Sequence, residues 1–458
     1  MPADDLFKAK LIPPAIAPPD APLPYFHALW KLLDNPIEAW PKNVYEEPFY
    51  QRGDERQTFL YACDPAMLKD ILLDRADAFR KDWMFDRVTK PALGDGLLTA
   101  QGEHWRWQRR AAAPGFRPDN VAAMTPVMVQ AAEATLARWR ERGEGARLDV
   151  ATEMTGITFQ VILDTMLSGG EGIDVAVAAR KITDYLETLG RITPADLLQW
   201  PTWTRVALSP RGHRAMVFLK AMVDRMVQRR RREPARGDLV DLLMQAQDPE
   251  SGRRMDDVLL RDNLLTFIAA GHETTALALT WSLYLLGRDP DTTARVRAEV
   301  AVVAGQASLT HAHVERLTFT QQVVQEAMRL YPSLPLMSRM CVEDVEAGSH
   351  PVKKGTFVFV PIYAIHRHRR LWRDPDAFDP DRFGPEESAG RPRFAYLPFG
   401  GGPRVCIGQT FALTETVAIL ATLVRGATLE PDPGHRVRPV MRVSMRPQGG
   451  MPMTLRLR

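Results

Sequence analysis

A ten-residue segment near the C-terminus, from Phe399 to Gly408, combines one cysteine with an arginine and several glycines. Cys406 lies between Arg404 and Gly408, and it directly precedes an apolar stretch that predicts a helix. A thiol at a helix N-terminus faces unpaired backbone N–H groups and the positive end of the helix dipole, which favour its thiolate form. Gly408 leaves space for a flat group close to the backbone, and Arg404 supplies a cation for an anionic part of that group. The segment therefore predicts a thiolate beside a flat, anionic ligand.

A second unusual segment is Ala270-Gly271-His272-Glu273-Thr274-Thr275, which lies inside the most apolar long stretch of the chain, 264–286. Glycine and β-branched threonine are poor helix formers, and a buried glutamate is costly unless it has a partner. Departures of this kind from local preference are typical of functional sites. The segment therefore predicts a functional site in the middle of a buried helix.

Both segments match motifs of one family. The first resembles the haem-binding loop of the cytochromes P450, Phe-x-x-Gly-x-Arg-x-Cys-x-Gly, in Phe399, Gly402, Arg404, Cys406 and Gly408. The second is similar to the family's oxygen-activation motif, Ala/Gly-Gly-x-Asp/Glu-Thr. The resemblance implies that Cys406 is the thiolate ligand of a haem iron, that Ala270 lies over the iron, and that Glu273 and Thr274 deliver protons to oxygen. His272 occupies a variable position of the motif and is expected to be structural.

Two charged motifs follow in the family's order. Glu326 and Arg329, spaced i,i+3 on a predicted helix, resemble the family's Glu-x-x-Arg. Arg382 matches its later arginine motif, often Pro-Glu-Arg-Phe and here Pro-Asp-Arg-Phe. The resemblance implies that Glu326, Arg329 and Arg382 form a buried network with a structural role.

The resemblance also implies a set of haem contacts. Trp105 and Arg109 match the family's Trp-x-x-x-Arg, and Arg339 matches another arginine that binds haem propionates. Indole N–H and guanidinium groups are suited to carboxylates. The residues expected to bind the cofactor, haem b (iron protoporphyrin IX), are Trp105, Arg109, Ala270, Arg339, Phe399, Arg404, Cys406 and Gly408.

The positions that line the substrate pocket in the family are almost all apolar in this chain. They are Phe267, Ile268, Ala270, Leu334, Leu336 and Met337. The resemblance therefore implies an apolar substrate, although such side chains at such spacing are also compatible with ordinary core packing.

These residues need a mainly helical scaffold. The stretch from Asp256 to Leu286 predicts a helix with Asp256 as its N-cap, and about thirty residues span roughly 45 Å. Other helical patterns cover 120–140, 150–168 and 212–232, whereas strand signals are few, the clearest being 57–62 and 355–362. The prediction is a mainly α fold with a minor β component, the cytochrome P450 fold with a long central helix over the haem. We expect residues 1–30 to be a proline-rich lead-in and residues 31–458 to form one domain.

The amino-acid composition limits the other classes of protein to which the chain could belong. The hydrophobic share of 45% and charged share of 25% among 458 residues are typical of soluble globular proteins. Three scattered cysteines do not suggest a disulfide framework, which predicts a cytoplasmic location. The net charge of +3 gives no general attraction to nucleic acid, and the run 229–232 predicts a solvated helix C-terminus rather than a nucleic-acid surface.

A membrane anchor is not expected. The N-terminus lacks the basic and apolar regions of a signal peptide. The apolar stretch 264–286 contains His272 and Glu273 at its middle, which favours a buried core helix over a membrane span.

The sequence therefore predicts a haem-thiolate monooxygenase that inserts one oxygen atom from O2 into an apolar organic substrate. The chain length leaves no room for a flavin or iron–sulfur domain, so we expect a separate donor, a ferredoxin or flavodoxin/reductase system. The alternatives are a peroxide-driven or isomerising haem-thiolate enzyme and, from another class, a non-catalytic haem-thiolate sensor. The acid–alcohol pair, Glu273 and Thr274, favours the monooxygenase.

Overall fold

The computed structural model describes residues 10–54, 57–166, 174–188, 193–197, 200–201, 203–204, 209–236 and 238–458. Its helices are α1 (Tyr25–Asp34), α2 (Asn43–Glu46), α3 (Pro65–Lys69), α4 (Trp83–Leu93), α5 (Gly102–Ala112), α6 (Pro118–Arg142), α7 (Val150–Met166), α8 (Val175–Thr188), α9 (Pro194–Leu197), α10 (Pro210–Arg230), α11 (Leu239–Gln245), α12 (Asp257–Arg288), α13 (Pro290–Ala304), α14 (His311–Arg316), α15 (Thr318–Leu330), α16 (Ile362–Ile365), α17 (Pro385–Ser388) and α18 (Gln409–Gly426). Its strands are β1 (Phe49–Gly53), β2 (Thr58–Ala62), β3 (Phe79–Arg80), β4 (Arg147–Asp149), β5 (Met337–Cys341), β6 (Val345–Ala347), β7 (His350–Val352), β8 (Phe357–Val360), β9 (Ala427–Pro431), β10 (Pro439–Met441), β11 (Met445–Pro447) and β12 (Pro452–Leu457).

The long helix predicted over 256–286 is α12. Asp256 caps it as expected, because its Oδ1 accepts a hydrogen bond from the backbone N–H of Leu259 at 2.8 Å. The helix has 32 residues, which corresponds to about 48 Å. It packs against α7, α10, α15 and α18 and is buried along most of its length. It therefore positions the 270–275 segment inside the protein.

The other helical patterns also correspond to helices. The 120–140 pattern lies within α6, the 150–168 pattern corresponds to α7, and the 212–232 pattern corresponds to α10. Residues 167–168 lie outside the described residues.

The β component is a minor part of the fold, as predicted, but it has more strands than the sequence indicated. One sheet has the order β1-β2-β8-β5-β3, with β2 and β8 parallel and the other neighbours antiparallel. A second sheet has the order β4-β12-β9, and β6-β7 and β10-β11 are separate pairs. The two predicted strands are β2 and β8. The others are mostly short, and several pair with partners that are distant in sequence, so local patterning does not reveal them.

The prediction of a solvated arginine run at 229–232 was wrong for Arg230. This side chain is buried and forms ion pairs with Asp238 at 3.0 Å and Asp241 at 2.6 Å. Because α11 begins shortly after α10 ends, its N-cap Asp238 and its first-turn Asp241 reach back to the guanidinium. Arg230 therefore joins two helices and does not belong to an exposed basic surface.

The proline-rich lead-in follows the surface of the helical core. The Tyr331 hydroxyl donates to the Pro14 carbonyl at 2.7 Å, and the Phe378 N–H donates to the Leu11 carbonyl at 2.9 Å. Residues 1–9 lie outside the described residues. Among the helices in the described ranges, none is both long and apolar enough to cross a lipid bilayer.

Candidate active site

The loop before α18 has a shape that requires glycine. Gly402 has a φ of +67°, and a Cβ added there would lie 1.7 Å from the Leu72 carbonyl oxygen. Gly400 also has a positive φ, +73°. The Cys406 N–H donates to the Phe399 carbonyl at 2.9 Å and closes the loop. The thiol is therefore held in one place by backbone contacts.

The Cys406 thiol faces a space inside the protein. Cys406 is exposed, yet burial raises the pKa of its thiol, against the opposing effects of the Gly408 N–H and the Arg109 guanidinium. Both observations hold if protein surrounds the thiol on most sides and an unfilled gap lies directly beside it. A Cβ added at Gly408 would have the Phe116 ring as its nearest neighbour, at 3.8 Å. The backbone after the cysteine therefore leaves room for a flat group.

Four half-buried cations have no ion-pair partner among the described residues. Lys81, Arg109, Arg339 and Arg404 form no ion pair with any residue in the described ranges, and burial lowers the pKa of each. After burial, repulsion by Arg404 and Arg339 contributes most to lowering the pKa of Lys81, which falls to about 6. Burial and repulsion by Arg339 bring the pKa of Arg404 to about 10. Such a cluster is unfavourable unless an anion binds to it.

Trp105 completes this cluster. The Arg404 guanidinium lies 4.2 Å from the centre of the Trp105 ring and donates to the Ala100 carbonyl at 3.0 Å. The Trp105 indole N–H makes no hydrogen bond with a described residue, so it is available to a ligand. A thiol beside an internal gap and unpaired cations fit a haem whose two propionates need neutralisation.

The centre of α12 is partly exposed, whereas the turns on either side of it are buried. Ala270 is exposed and Glu273 and Thr274 are half-buried, whereas the residues at 262–268 and 275–286 are buried. Gly271 has a packing role, because a Cβ there would lie 2.9 Å from Ile162 of α7. The opening therefore lies beside Ala270 and Thr274, the two residues expected closest to oxygen.

Hydroxyl groups bond to alternate backbone carbonyls of α12 between Ala270 and Thr274. Thr274 Oγ1 donates to the Ala270 carbonyl at 2.7 Å, Thr158 Oγ1 to the His272 carbonyl at 2.8 Å, and Ser333 Oγ to the Thr274 carbonyl at 2.8 Å. The Ser333 contact brings the 333–337 segment alongside the helix. Leu334 is exposed, and Leu336 and Met337 are half-buried, so this predicted pocket segment lies near Thr274.

The carboxylate of Glu273 is bound by the β10–β11 hairpin. Its Oε1 accepts a hydrogen bond from Ser444 Oγ at 2.8 Å and forms an ion pair with Arg446. Neither partner lies in a sequence motif, and both are about 170 residues further along the chain. Glu273 thus has a compensating cation, and two side chains of the hairpin hold its carboxylate.

Two other predicted residues lie within the core. His272 is buried, its Nδ1–H donates to the Ile268 carbonyl at 2.9 Å, and its ring packs edge-on against Phe159 at 5.7 Å; burial lowers its pKa. Phe267 is buried against the Phe116 ring at 5.3 Å. The structure therefore places Phe267 in packing contact with the ring that lies next to Gly408.

Comparison with known proteins identifies the family to which the chain belongs. The family model for Cytochrome P450 matches residues 17–453. The chain belongs to the cytochrome P450 family. It is 34% identical over 388 residues to Cyclooctatin synthase of Streptomyces melanosporofaciens, covering 84% of this chain and 83% of that protein. It is 34% identical to Cyclooctat-9-en-7-ol 5-monooxygenase of the same organism (81% and 80% covered) and 31% identical to Cytokinin hydroxylase of Arabidopsis thaliana (91% and 82% covered).

Solved structures agree with this assignment. The crystal structure of the cytochrome P450DA heme domain superposes with a TM-score of 0.82 at 26% identity, covering 97% of this chain and 98% of that one. The protein is therefore a cytochrome P450 monooxygenase with a haem-thiolate cofactor.

The Glu326–Arg329–Arg382 set forms one buried network in this P450. Arg329 is fully buried and uses all its N–H groups, two on Glu326 at 2.6 and 2.7 Å and the others on the carbonyls of His366, Pro375 and Ala377. Arg382 Nε lies 3.4 Å from Glu326 Oε1. The His366 ring in turn accepts the Leu397 N–H at 2.8 Å. The network therefore reaches the segment that leads into the cysteine loop.

Glu415 is a buried acid that belongs to none of the sequence motifs. It lies on α18, nine residues after the cysteine, and is fully buried. Neither carboxylate oxygen meets the geometry of a hydrogen bond with a described residue. Burial raises the pKa of Glu415 well above 4.5, against a smaller opposing effect of the Thr275 hydroxyl. Glu415 thus lies on α18 close to Thr275, the residue after Thr274, in surroundings that favour its protonated form.

This raised pKa predicts a pH dependence of stability. Above pH about 4.5 the unfolded chain ionises Glu415 while the folded protein keeps it protonated, so the unfolded state binds fewer protons and stability falls as pH rises. Relative to Glu415→Gln, the wild type should lose up to about 1.4 kcal/mol of unfolding free energy per pH unit until the folded pKa is reached. Urea unfolding from pH 5 to 8 measures the difference. Glu346→Gln changes an exposed residue and is the control. Its unfolding free energy should vary with pH in the same way as that of the wild type.

Proposed function

We propose that this P450 hydroxylates an apolar organic substrate with O2, taking electrons from a separate ferredoxin or flavodoxin/reductase system. The cofactor proposed is haem b, and the cysteine usage favours a cytoplasmic location. The observation that carries the proposal is the acid–alcohol pair, Glu273 and Thr274, on the open stretch at the centre of α12. Relatives named as a monooxygenase and a hydroxylase support the same reaction class.

The residues around the thiol would hold the cofactor. Cys406 would ligate the iron, while Arg109, Arg339, Arg404 and Trp105 would bind the propionates. Haem held by a thiolate supplies iron that binds oxygen and favours cleavage of the O–O bond. Repulsion among the cations should fall once the propionates are bound, so cofactor binding should also stabilise the fold.

Protons would come through side chains of α12. Thr274 presents a hydroxyl at the opening, held by its hydrogen bond to the Ala270 carbonyl. Glu273 lies one residue earlier, and its carboxylate is bound by Arg446 and Ser444. A carboxylate beside a hydroxyl accepts a proton from bulk water and passes it on, which is the arrangement that general acid catalysis needs.

Thr274→Ala tests this assignment. We expect reduction to continue while the hydroxylated product per electron falls by about 10-fold or more, with hydrogen peroxide released instead, because positioned proton donors contribute large factors to such steps. The measurement compares electron consumption, peroxide and 18O-labelled product from 18O2.

Thr280→Ala is the matched control for this variant. Thr280 lies on the same helix and makes the same hydrogen bond to the carbonyl four residues earlier, at 2.7 Å, but it is buried away from the opening. Thr280→Ala should form as much hydroxylated product per electron as the wild type does. Equal coupling in Thr274→Ala and Thr280→Ala would remove Thr274 from the proton path. Product that carries oxygen from peroxide alone would favour the peroxide-driven alternative.

A further inference from the structure

The β10–β11 hairpin binds one oxygen of the Glu273 carboxylate and leaves the other open. Glu273 Oε1 accepts the hydrogen bond from Ser444 Oγ at 2.8 Å and also pairs with the Arg446 guanidinium. Oε2 makes no hydrogen bond with a described residue, and 14% of the Glu273 side chain is exposed. A carboxylate held through one oxygen keeps its direction, while the lone pairs of the other oxygen can take up a proton from water.

The hairpin is anchored to the protein by contacts that do not involve Glu273. On β10, the Met441 N–H donates to Asn35 Oδ1 at 3.0 Å. On β11, the Met445 carbonyl accepts a hydrogen bond from the Trp281 indole N–H at 3.2 Å. Because each strand has its own anchor, the hairpin side chains hold the carboxylate, rather than the carboxylate holding the hairpin.

A second connection from the same hairpin reaches Thr274. The Met445 N–H donates to the Ser333 carbonyl at 3.0 Å, and Ser333 Oγ donates to the Thr274 carbonyl at 2.8 Å. Glu273 and Thr274 are adjacent in the chain, but neighbouring side chains leave an α-helix about 100° apart. The hairpin therefore fixes two groups that the helix alone would point in different directions.

We propose that Arg446 and Ser444 are positioning residues for proton delivery, because they fix Glu273 through Oε1 and leave Oε2 to carry protons to the Thr274 hydroxyl. The proposal rests on the proposed function, since it assigns a role in the same reaction. In each transfer a hydronium ion gives its proton to Oε2 and becomes water. The acid passes this proton to the Thr274 oxygen, which releases its own hydroxyl proton towards the oxygen site. Carboxylate and hydroxyl are both regenerated, so the transfer balances.

Arg446→Gln in the haem-loaded protein tests this role, with ethylbenzene as a small apolar probe and a surrogate ferredoxin/reductase pair as the electron donor. With O2, hydroxylated ethylbenzene per electron should fall about 3-fold or more, with peroxide in its place, because small misplacements of a reacting group slow a reaction strongly. Ser444→Ala should have a smaller effect, since charge-assisted hydrogen bonds are roughly twice as strong as neutral ones. Arg446→Lys keeps the cation and should restore most of the product.

Iodosylbenzene separates proton delivery from the other requirements of turnover. It gives up one oxygen atom and leaves as iodobenzene, so hydroxylation driven by it needs no proton from α12. With this oxidant, Arg446→Gln should hydroxylate ethylbenzene at the wild-type rate. An equal loss of product with iodosylbenzene and with O2 would show that Arg446 supports the pocket or the fold, and would contradict its role in proton delivery.

Arg438→Gln is the matched control on the same hairpin. Arg438 directly precedes β10 and pairs with Asp34 at 3.0 Å and Glu38 at 2.5 Å. Removing its charge therefore disturbs an anchor of the hairpin without removing a partner of Glu273. This variant should keep the wild-type yield with both oxidants. A loss with O2 as large as that of Arg446→Gln would attribute the effect to the hairpin's stability and overturn the proposal.

The proposal also fails if Arg446→Gln and Ser444→Ala both keep the wild-type yield per electron with O2. Uncoupling in Thr274→Ala would in that case still support the proposed function, and only the role of the hairpin would be lost. Conversely, full coupling in Thr274→Ala would contradict the proton path of the proposed function itself. The two failures are therefore distinguishable with the same probe and the same measurement.

Discussion

Replacing Cys406 by serine should abolish turnover and the spectral signature of thiolate ligation. A serine hydroxyl is a poor anionic ligand, and the electron donation that favours O–O cleavage requires the thiolate. Since loop closure comes from backbone groups, namely the bond from the Cys406 N–H to the Phe399 carbonyl and the positive φ of Gly402, the fold should persist. The expected result is a folded protein whose product formation is at the detection limit, measured by product analysis and by visible spectroscopy.

Cys341→Ser is the control for this change. Cys341 is buried on β5, and its thiol contacts the Glu343 carbonyl at 3.0 Å, a contact that serine can reproduce. This variant should keep both the spectrum and the turnover of the wild type. Turnover in Cys406→Ser comparable to that of Cys341→Ser would contradict the role of Cys406.

The second large effect should come from Glu326→Ala. This change leaves the fully buried Arg329 and the mostly buried Arg382 without their shared carboxylate, and breaking a buried ion pair in this way costs about 3–5 kcal/mol. Because Arg329 also holds the His366 carbonyl, and the His366 ring holds Leu397 ahead of the cysteine loop, haem retention should decrease together with stability. Denaturant unfolding and the haem-to-protein absorbance ratio measure the two effects.

An exposed ion pair in the same region provides the comparison. Arg295 and Asp381 are both about half exposed and lie 2.7 Å apart, so Arg295→Ala should cost no more than about 1 kcal/mol and should not release haem. If Glu326→Ala were as mild as Arg295→Ala, the network would not support the cysteine loop.

The sequence predicted those parts of the site that are encoded locally. The cysteine loop, the cap of α12 by Asp256 and the Glu326–Arg329 pair each depend on residues a few positions apart, and all three are found in the structure. Local spacing was sufficient because turns, caps and i,i+3 pairs are short-range features.

Groups brought in from distant segments could not be predicted in the same way. Arg446 reaches Glu273 from a hairpin near the C-terminus, and Lys81 joins the cation cluster from a segment before α4. Neither residue lies in a motif, and their roles depend on how strands and helices pack. Arg230 was mispredicted for the same reason. A run of like charges indicated exposure, but Asp238 and Asp241, which follow it in the chain, form ion pairs with it inside the protein.

The visible spectrum of the reduced, CO-bound protein tests the ligation of the iron by Cys406 most directly. We expect a Soret band at the position of thiolate-ligated haem in the wild type and its loss in Cys406→Ser. A band at the position of haem bound through a neutral nitrogen, in wild-type protein shown to be folded, would contradict the assignment of Cys406 as the iron ligand.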